Sequence, residues 1–215
     1  MTKLQGQAFD TEKFYGELGA KKMEEYAIKT GLWGGSRFLD SKLLLKIVEN
    51  SFEGYTRVLE VGCGYGRVAE EFLNRYSISY YGIDLHKPFI DIFKKKVDES
   101  QRNQIFWGNF LDFEFPFREV DCILFPWSVI GDFSSGEGQI ATLEKASLLL
   151  YHRGKILIDI PKDIINEFEG YAPGHFNVHE KYDLAKVGLK YNQSHPYTTY
   201  TDRKREILEL HVKNH

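Results

Sequence analysis

The chain has 215 residues and a mass of 25.0 kDa, enough for one substantial core. With 42% hydrophobic and 27% charged residues it belongs with globular chains rather than disordered ones or membrane bundles. The formal net charge of −3, from 28 basic and 31 acidic residues, disfavours a protein that coats nucleic acid. No apolar run approaches the roughly 18–20 residues of a spanning helix, so no membrane partner is expected. The N-terminus lacks the apolar segment of a secretory signal, and two cysteines, Cys63 and Cys122, suit a reducing compartment. A cytoplasmic protein is therefore expected.

In chain order, residues 1–50 read as a helix over about 11–28, a turn at Leu32-Trp33-Gly34-Gly35, and a helix over about 40–50. Leu43, Leu44, Ile47 and Val48 give the second helix its apolar side, and the whole segment is expected to act as a helical lid. Short apolar runs then alternate with helical patterns, the mark of a parallel sheet with crossover helices. Strands are predicted at 57–61, 79–83, 104–107, 120–125 and 155–160. Between them, Val68, Phe72 and Tyr76 share one helix face. Phe89, Ile92, Phe93 and Val97 share another, with Pro88 in the first turn, and Ile140, Leu143, Ser147 and Leu150 a third. Arg153-Gly154 is predicted to end that third helix and start the fifth strand. Beyond 161 the pattern loosens. A helical turn is expected at Asp163–Phe168. Lys186–Tyr191 and Arg205–Val212 then alternate as a two-stranded ribbon joined through His195-Pro196. The three regions, 1–50, 51–161 and 162–215, are read as one domain.

The most informative segment is Val58-Leu59-Glu60-Val61-Gly62-Cys63-Gly64-Tyr65-Gly66, which runs from strand towards helix. Glycines at 62, 64 and 66 permit a sharp turn and a close ligand approach. Against the dinucleotide fingerprint G-x-G-x-x-G the third glycine comes one residue early, and Arg67 stands where a dehydrogenase has glycine. Glu60 would also repel a nearby pyrophosphate and suits a ligand with an ammonium or sulfonium. A nicotinamide-dependent oxidoreductase is disfavoured on both counts. Asp84 closes the second strand, where a carboxylate can accept hydrogen bonds from ribose hydroxyls.

Glu60-x-Gly62-x-Gly64-x-Gly66 together with Asp84 resembles the class I S-adenosylmethionine-dependent methyltransferases, over about residues 40–161. The resemblance continues at Trp107-Gly108-Asn109-Phe110, where the family usually has an Asp that bonds the adenine amino group and this chain has Asn109. It continues again at Val120–Phe125 and at Leu148-Leu149-Leu150-x-x-Arg153-Gly154-x-Ile156-Leu157-Ile158. It implies a doubly wound, Rossmann-like α/β fold of three layers, α/β/α, with a mostly parallel sheet ordered 3-2-1-4-5 plus C-terminal antiparallel strands. It also implies S-adenosylmethionine as cofactor. The implied contacts are Glu60, Gly62, Cys63, Gly64, Gly66, Asp84, Leu85, Asn109, Phe110 and Phe125, with Asp112 as a substitute for Asn109. Arg37, from the lid, could pair with the donor's carboxylate.

After the fourth strand, Trp127 is expected as an aromatic wall and Ser128 as a polar anchor for the acceptor, with Tyr15 reaching in from the lid beside Phe14, Tyr26 and Trp33. Phe125-Pro126-Trp127 lacks the polar residue and second Pro of the Asp/Asn/Ser-Pro-Pro-aromatic motif of methyltransferases that act on bases or on Gln/Asn. A small-molecule N or O acceptor is left as the leading reading. A non-catalytic S-adenosylmethionine-binding regulatory module is the alternative, and an RNA or protein methyltransferase a lesser one. No catalytic base is singled out. His175 and His179 have metal-ligand spacing, but Pro173-Gly174 argues against a helix there, so no metal is expected. Lys94-Lys95-Lys96 and Arg203-Lys204-Arg205 read as solvated faces. The family's Gly-Phe before the last strand is missing after residue 161. If the ribbon does not complete the sheet, the fifth strand would be an edge, and a homodimer would then be expected.

Overall fold

A computed structural model describes residues 19, 22, 39–133, 136–162, 184–198 and 204–213. Strands β1 (Thr56–Val61), β2 (Ile78–Asp84), β3 (Ile105–Trp107) and β4 (Val120–Phe125) form on short segments rich in aliphatic and aromatic residues. Strands β5 (Leu150–Pro161), β6 (Leu189–Thr198) and β7 (Lys204–Val212) complete one sheet of seven, ordered β3-β2-β1-β4-β5-β7-β6. The first five pair in parallel, and β7 joins β5 and β6 antiparallel.

Alternate side chains feed two cores, one on each face of the sheet. Leu59, Val61, Ile123, Ile156 and Ile158 pack on one face with α5 (Val129–Asp132) and α6 (Gly136–Leu148). Val58, Tyr80, Cys122, Leu124 and Leu157 pack on the other with α1 (Leu39–Ser51), α2 (Ala69–Leu73) and α3 (Lys87–Lys96). A one-residue slip of any central strand would exchange its two sets of side chains, so the register is fixed by burial. A further helical turn, α4 (Glu99–Arg102), is closed by a capping box between Asp98 and Gln101. No helix among the described residues is long and apolar enough to cross a membrane.

Several expectations are corrected. The helix after the glycine loop spans only Ala69–Leu73, so Tyr76 leaves the predicted face and is fully exposed. On α6 the buried face is Gln139, Thr142, Leu143 and Ala146; Ile140 is partly exposed and Leu150 already belongs to β5. Arg153-Gly154 lies inside β5 rather than at its start. Leu150 pairs with Val120 but Lys155 with Cys122, and the register shift between them absorbs the extra residues. At the C-terminus, Leu184–Val187 forms a 3₁₀ turn instead of a strand, and β6 runs straight through His195-Pro196. That proline is tolerated because β6 is an edge. β5 is flanked by β4 and β7, so the unpaired edge that would have called for a homodimer is not present in this sheet. The predicted helix at 11–28, apart from residues 19 and 22, and the turns at 32–35 and 163–168 lie outside the described residues.

Candidate active site

The order of the sheet reverses direction of winding between β1 and β4, and a crevice opens beyond their carboxyl ends. A cavity of about 360 Å³ occupies it. Of the residues expected around a donor, Glu60, Gly62, Cys63, Gly64, Asp84, Leu85, Asn109 and Phe110 line this cavity, and so does Trp127. Gly66, Phe125 and Ser128 do not. Arg37 and Tyr15 lie outside the described residues, as do Phe14, Tyr26, Trp33, His175 and His179.

The three loop glycines do different work. At Gly64, φ is +53° and a Cβ would meet nothing within 4 Å, so its bare backbone opens onto the cavity. At Gly66, φ is +87° and a Cβ would sit 2.4 Å from the Phe93 ring. Gly66 therefore lets the loop lie flat on α3 rather than admitting a ligand. A Cβ on Gly62 would strike Val129 at 2.6 Å, so this glycine serves the approach of α5.

Asp84 ties the loop in place. Its carboxylate accepts the Gly64 N–H at 2.8 Å and the His86 N–H at 2.7 Å. A carboxylate has about four acceptor sites, so two bonds leave capacity for a diol. Burial pushes the Asp84 carboxyl above its ordinary range, against the pull of those two N–H donors. Glu60, 2% exposed, accepts a hydrogen bond from the Tyr80 hydroxyl. Burial drives its pKa up to about 8, more than the Tyr80 bond and the Arg67 charge can offset. A cation set beside it would favour the ionised form.

The loop after β3 is shaped by its own side chains. Asn109 Oδ1 accepts the Leu111 N–H at 3.0 Å, and Lys145 Nζ donates to the Leu111 and Phe113 carbonyls at 2.8 Å each. The Asn109 oxygen is thus already engaged within the loop. Asp112 is exposed and does not line the cavity.

Beyond β4 the expectations change most. Phe125 is wholly buried in the core, edge-on to Phe110, and does not reach the cavity. Ser128 Oγ accepts a bond from Arg205 Nη2 at 2.9 Å, so the hydroxyl anchors the protein to itself. Trp127 lines the cavity, but the Arg67 and Arg205 guanidiniums lie 5.4 and 4.3 Å from its ring centre. Arg205 is no solvated residue: it is 1% exposed and paired with Asp159 at 3.0 Å. Lys94–Lys96 do close α3 as a largely solvated run.

Sequence reasoning missed Arg67, which lines the cavity and pairs with Asp40 of α1 at 2.6 Å. It also missed His86, Asp132 and Phe133 in the lining. Their signal was weak: each lies in the segment that follows the carboxyl end of β2 or β4, where ligand contacts gather in such sheets.

Residues 58–152 match the family model described as a methyltransferase domain. No curated protein matches the sequence. Among solved structures, the fold is shared with a TehB-like SAM-dependent methyltransferase from Corynebacterium glutamicum, with TM-score 0.64, 17% identity, and 91% of this chain and 98% of that one covered. It is shared with CalS10, an amino pentose methyltransferase from Micromonospora echinaspora, with TM-score 0.63, 14% identity and coverages of 86% and 96%. It is shared also with the N-methyltransferase NodS from Bradyrhizobium japonicum, with TM-score 0.62, 14% identity and coverages of 81% and 95%.

Proposed function

We propose that the chain, whose residues 58–152 match the methyltransferase-domain model, is a class I S-adenosylmethionine-dependent methyltransferase that methylates a nitrogen or oxygen atom of a small molecule. The observation that carries this reading is the crevice beyond β1 and β4. Its lining brings together the bare Gly64 backbone, the two carboxyls Asp84 and Glu60, and the side chains of Trp127, Asp132 and Phe133. An amino-acid arm fits against Gly64, a ribose diol against the remaining acceptor sites of Asp84, and a purine beside Asn109, Phe110 and Leu111. Glu60, ionised by the charge it meets, faces the donor's ammonium.

The donor supplies a methyl group already activated by a sulfonium. The protein's own residues have two tasks. Trp127, Val129 and Phe133 would hold the acceptor atom about 3–3.5 Å from the methyl carbon, in line with the bond that breaks. They would also exclude water from the attack path. A neutral amine brings its own lone pair and loses its proton after transfer, so it requires no base in the crevice. One protein that shares the fold at low identity is named an N-methyltransferase and another an amino pentose methyltransferase, which adds weight to a nitrogen acceptor on a small molecule. A cytoplasmic site of action accompanies this reading, supported by two free, buried thiols, Cys63 and Cys122.

The test is methyl transfer from labelled S-adenosylmethionine into a cell extract, separated by size. Label in the small-molecule filtrate is expected. Label confined to protein or RNA would overturn the acceptor class.

A further inference from the structure

Two consecutive non-glycine residues, Trp127 and Ser128, stand at φ +51° and +66°. Such a conformation is strained for a residue with a Cβ and persists only where the surroundings over-determine it. Those surroundings are supplied from the far end of the chain. The Trp127 N–H donates to Asp159 Oδ2 at 3.0 Å, and the Ser128 N–H to the Asp159 carbonyl at 2.8 Å. Arg205 Nε donates to Asp159 Oδ1 at 3.0 Å, and Nη2 to Ser128 Oγ at 2.9 Å. The Tyr197 hydroxyl also donates to Asp159 Oδ1, at 2.8 Å.

The register explains the convergence. Tyr197 faces Arg205 directly across β6 and β7, and Arg205 faces Pro161, two residues beyond Asp159 on β5. Side chains two apart on a strand share a face, so all three lie together under the loop after β4. Asp159 and Arg205 are at most 1% exposed. A lysine could not reproduce the arrangement, because only the planar guanidinium donates to two partners while lying over the indole.

We infer that Asp159 and Arg205 are positioning residues that lock Trp127 into its left-handed conformation, and that the antiparallel ribbon thereby sets the acceptor wall of the crevice. This rests on the methyltransferase reading for the word acceptor, but not for the locking itself. The donor end, at Gly64 and Asp84, is built from other elements and does not depend on the pair.

The experiment uses the full chain with Trp33→Phe and Trp107→Phe, leaving Trp127 as the sole tryptophan. Arg205→Met and Arg205→Lys are expected to red-shift its emission and to raise its quenching by acrylamide, while calorimetric affinity for S-adenosylhomocysteine stays at the parental value. Parental emission and quenching in either folded variant would overturn the inference, and so would loss of S-adenosylhomocysteine binding together with the spectral change. If Arg205→Met does not fold, the Asp159→Asn/Arg205→Met pair leaves no uncompensated buried charge, and Ser128→Ala removes one anchor alone; both must show the same spectral direction. The unsubstituted chain is titrated beside the parent: its failure to bind S-adenosylhomocysteine would count against the proposed function, while the emission data would still decide the locking.

Discussion

Glu60, in the parallel half of the sheet, and Glu209, in the antiparallel half, are both nearly inaccessible to solvent, yet their carboxyls are driven in opposite directions. Around Glu60, burial dominates. One tyrosine hydroxyl and a more distant arginine do not compensate, and the group sits near pKa 8. Around Glu209, burial also raises the pKa but is outweighed. Lys155 donates at 2.7 Å, Gln193 at 2.9 Å, and the ring nitrogens of His211 and His195 lie at 2.6 and 2.9 Å, holding the carboxyl well below its usual range. The antiparallel half saturates its buried charge and uses it for structure. The crevice half leaves a carboxyl under-compensated, and such sites are where a ligand's charge has most effect.

The contrast predicts unequal responses to mutation. Glu209→Ala should be the costlier change, because it leaves the Lys155 ammonium, 16% exposed, without its buried counter-charge. A loss of about 3 kcal/mol or more is expected in chemical denaturation. A loss below about 1 kcal/mol would mean the cluster is effectively solvated. The stability that Glu209 provides is present above its ordinary 4.5 and fades in acid, as pH falls towards its depressed folded value.

Glu60→Gln should act the other way. A carboxyl raised in the folded state lowers stability as pH climbs from 4.5 to about 8, because the native form holds a proton that the unfolded chain releases. Glutamine keeps an acceptor for Tyr80 and abolishes that decline. The variant should therefore be relatively more stable than the parent at pH 8 than at pH 5, by a few kcal/mol at most. Melting curves whose pH slopes coincide for the two proteins would place the Glu60 carboxyl in an ordinary environment.

What could be read from the sequence divides along the same line. The parallel strands, the glycine turn and the carboxylates at the ends of β1 and β2 were legible because they depend on local patterns: apolar runs, glycine spacing, an acidic residue at a strand tip; the strand order followed only from the family resemblance those motifs carry. The roles of individual glycines were not legible. Gly64 and Gly66 are the same residue two positions apart, and only the placement of Phe93, 27 residues on from Gly66, leaves one open onto the cavity and makes the other a packing contact. The region beyond β4 was read least well. Ser128 looked like a substrate anchor, and Arg205 like a solvated charge, because their partnership spans 77 residues and exists only once β7 has paired with β5. The same holds for Trp127, whose face seemed open in the sequence and carries two guanidiniums in the fold.

The most direct measurement is a calorimetric titration of S-adenosylhomocysteine into the intact chain and into the Gly64→Val protein. Gly64 opens onto space, so the substitution should leave a folded protein, at a backbone cost of roughly 1–2 kcal/mol. One-to-one binding to the intact chain and its loss on Gly64→Val is the predicted result. Equal binding to both, or none to the intact chain, would contradict a donor site at the tips of β1 and β2.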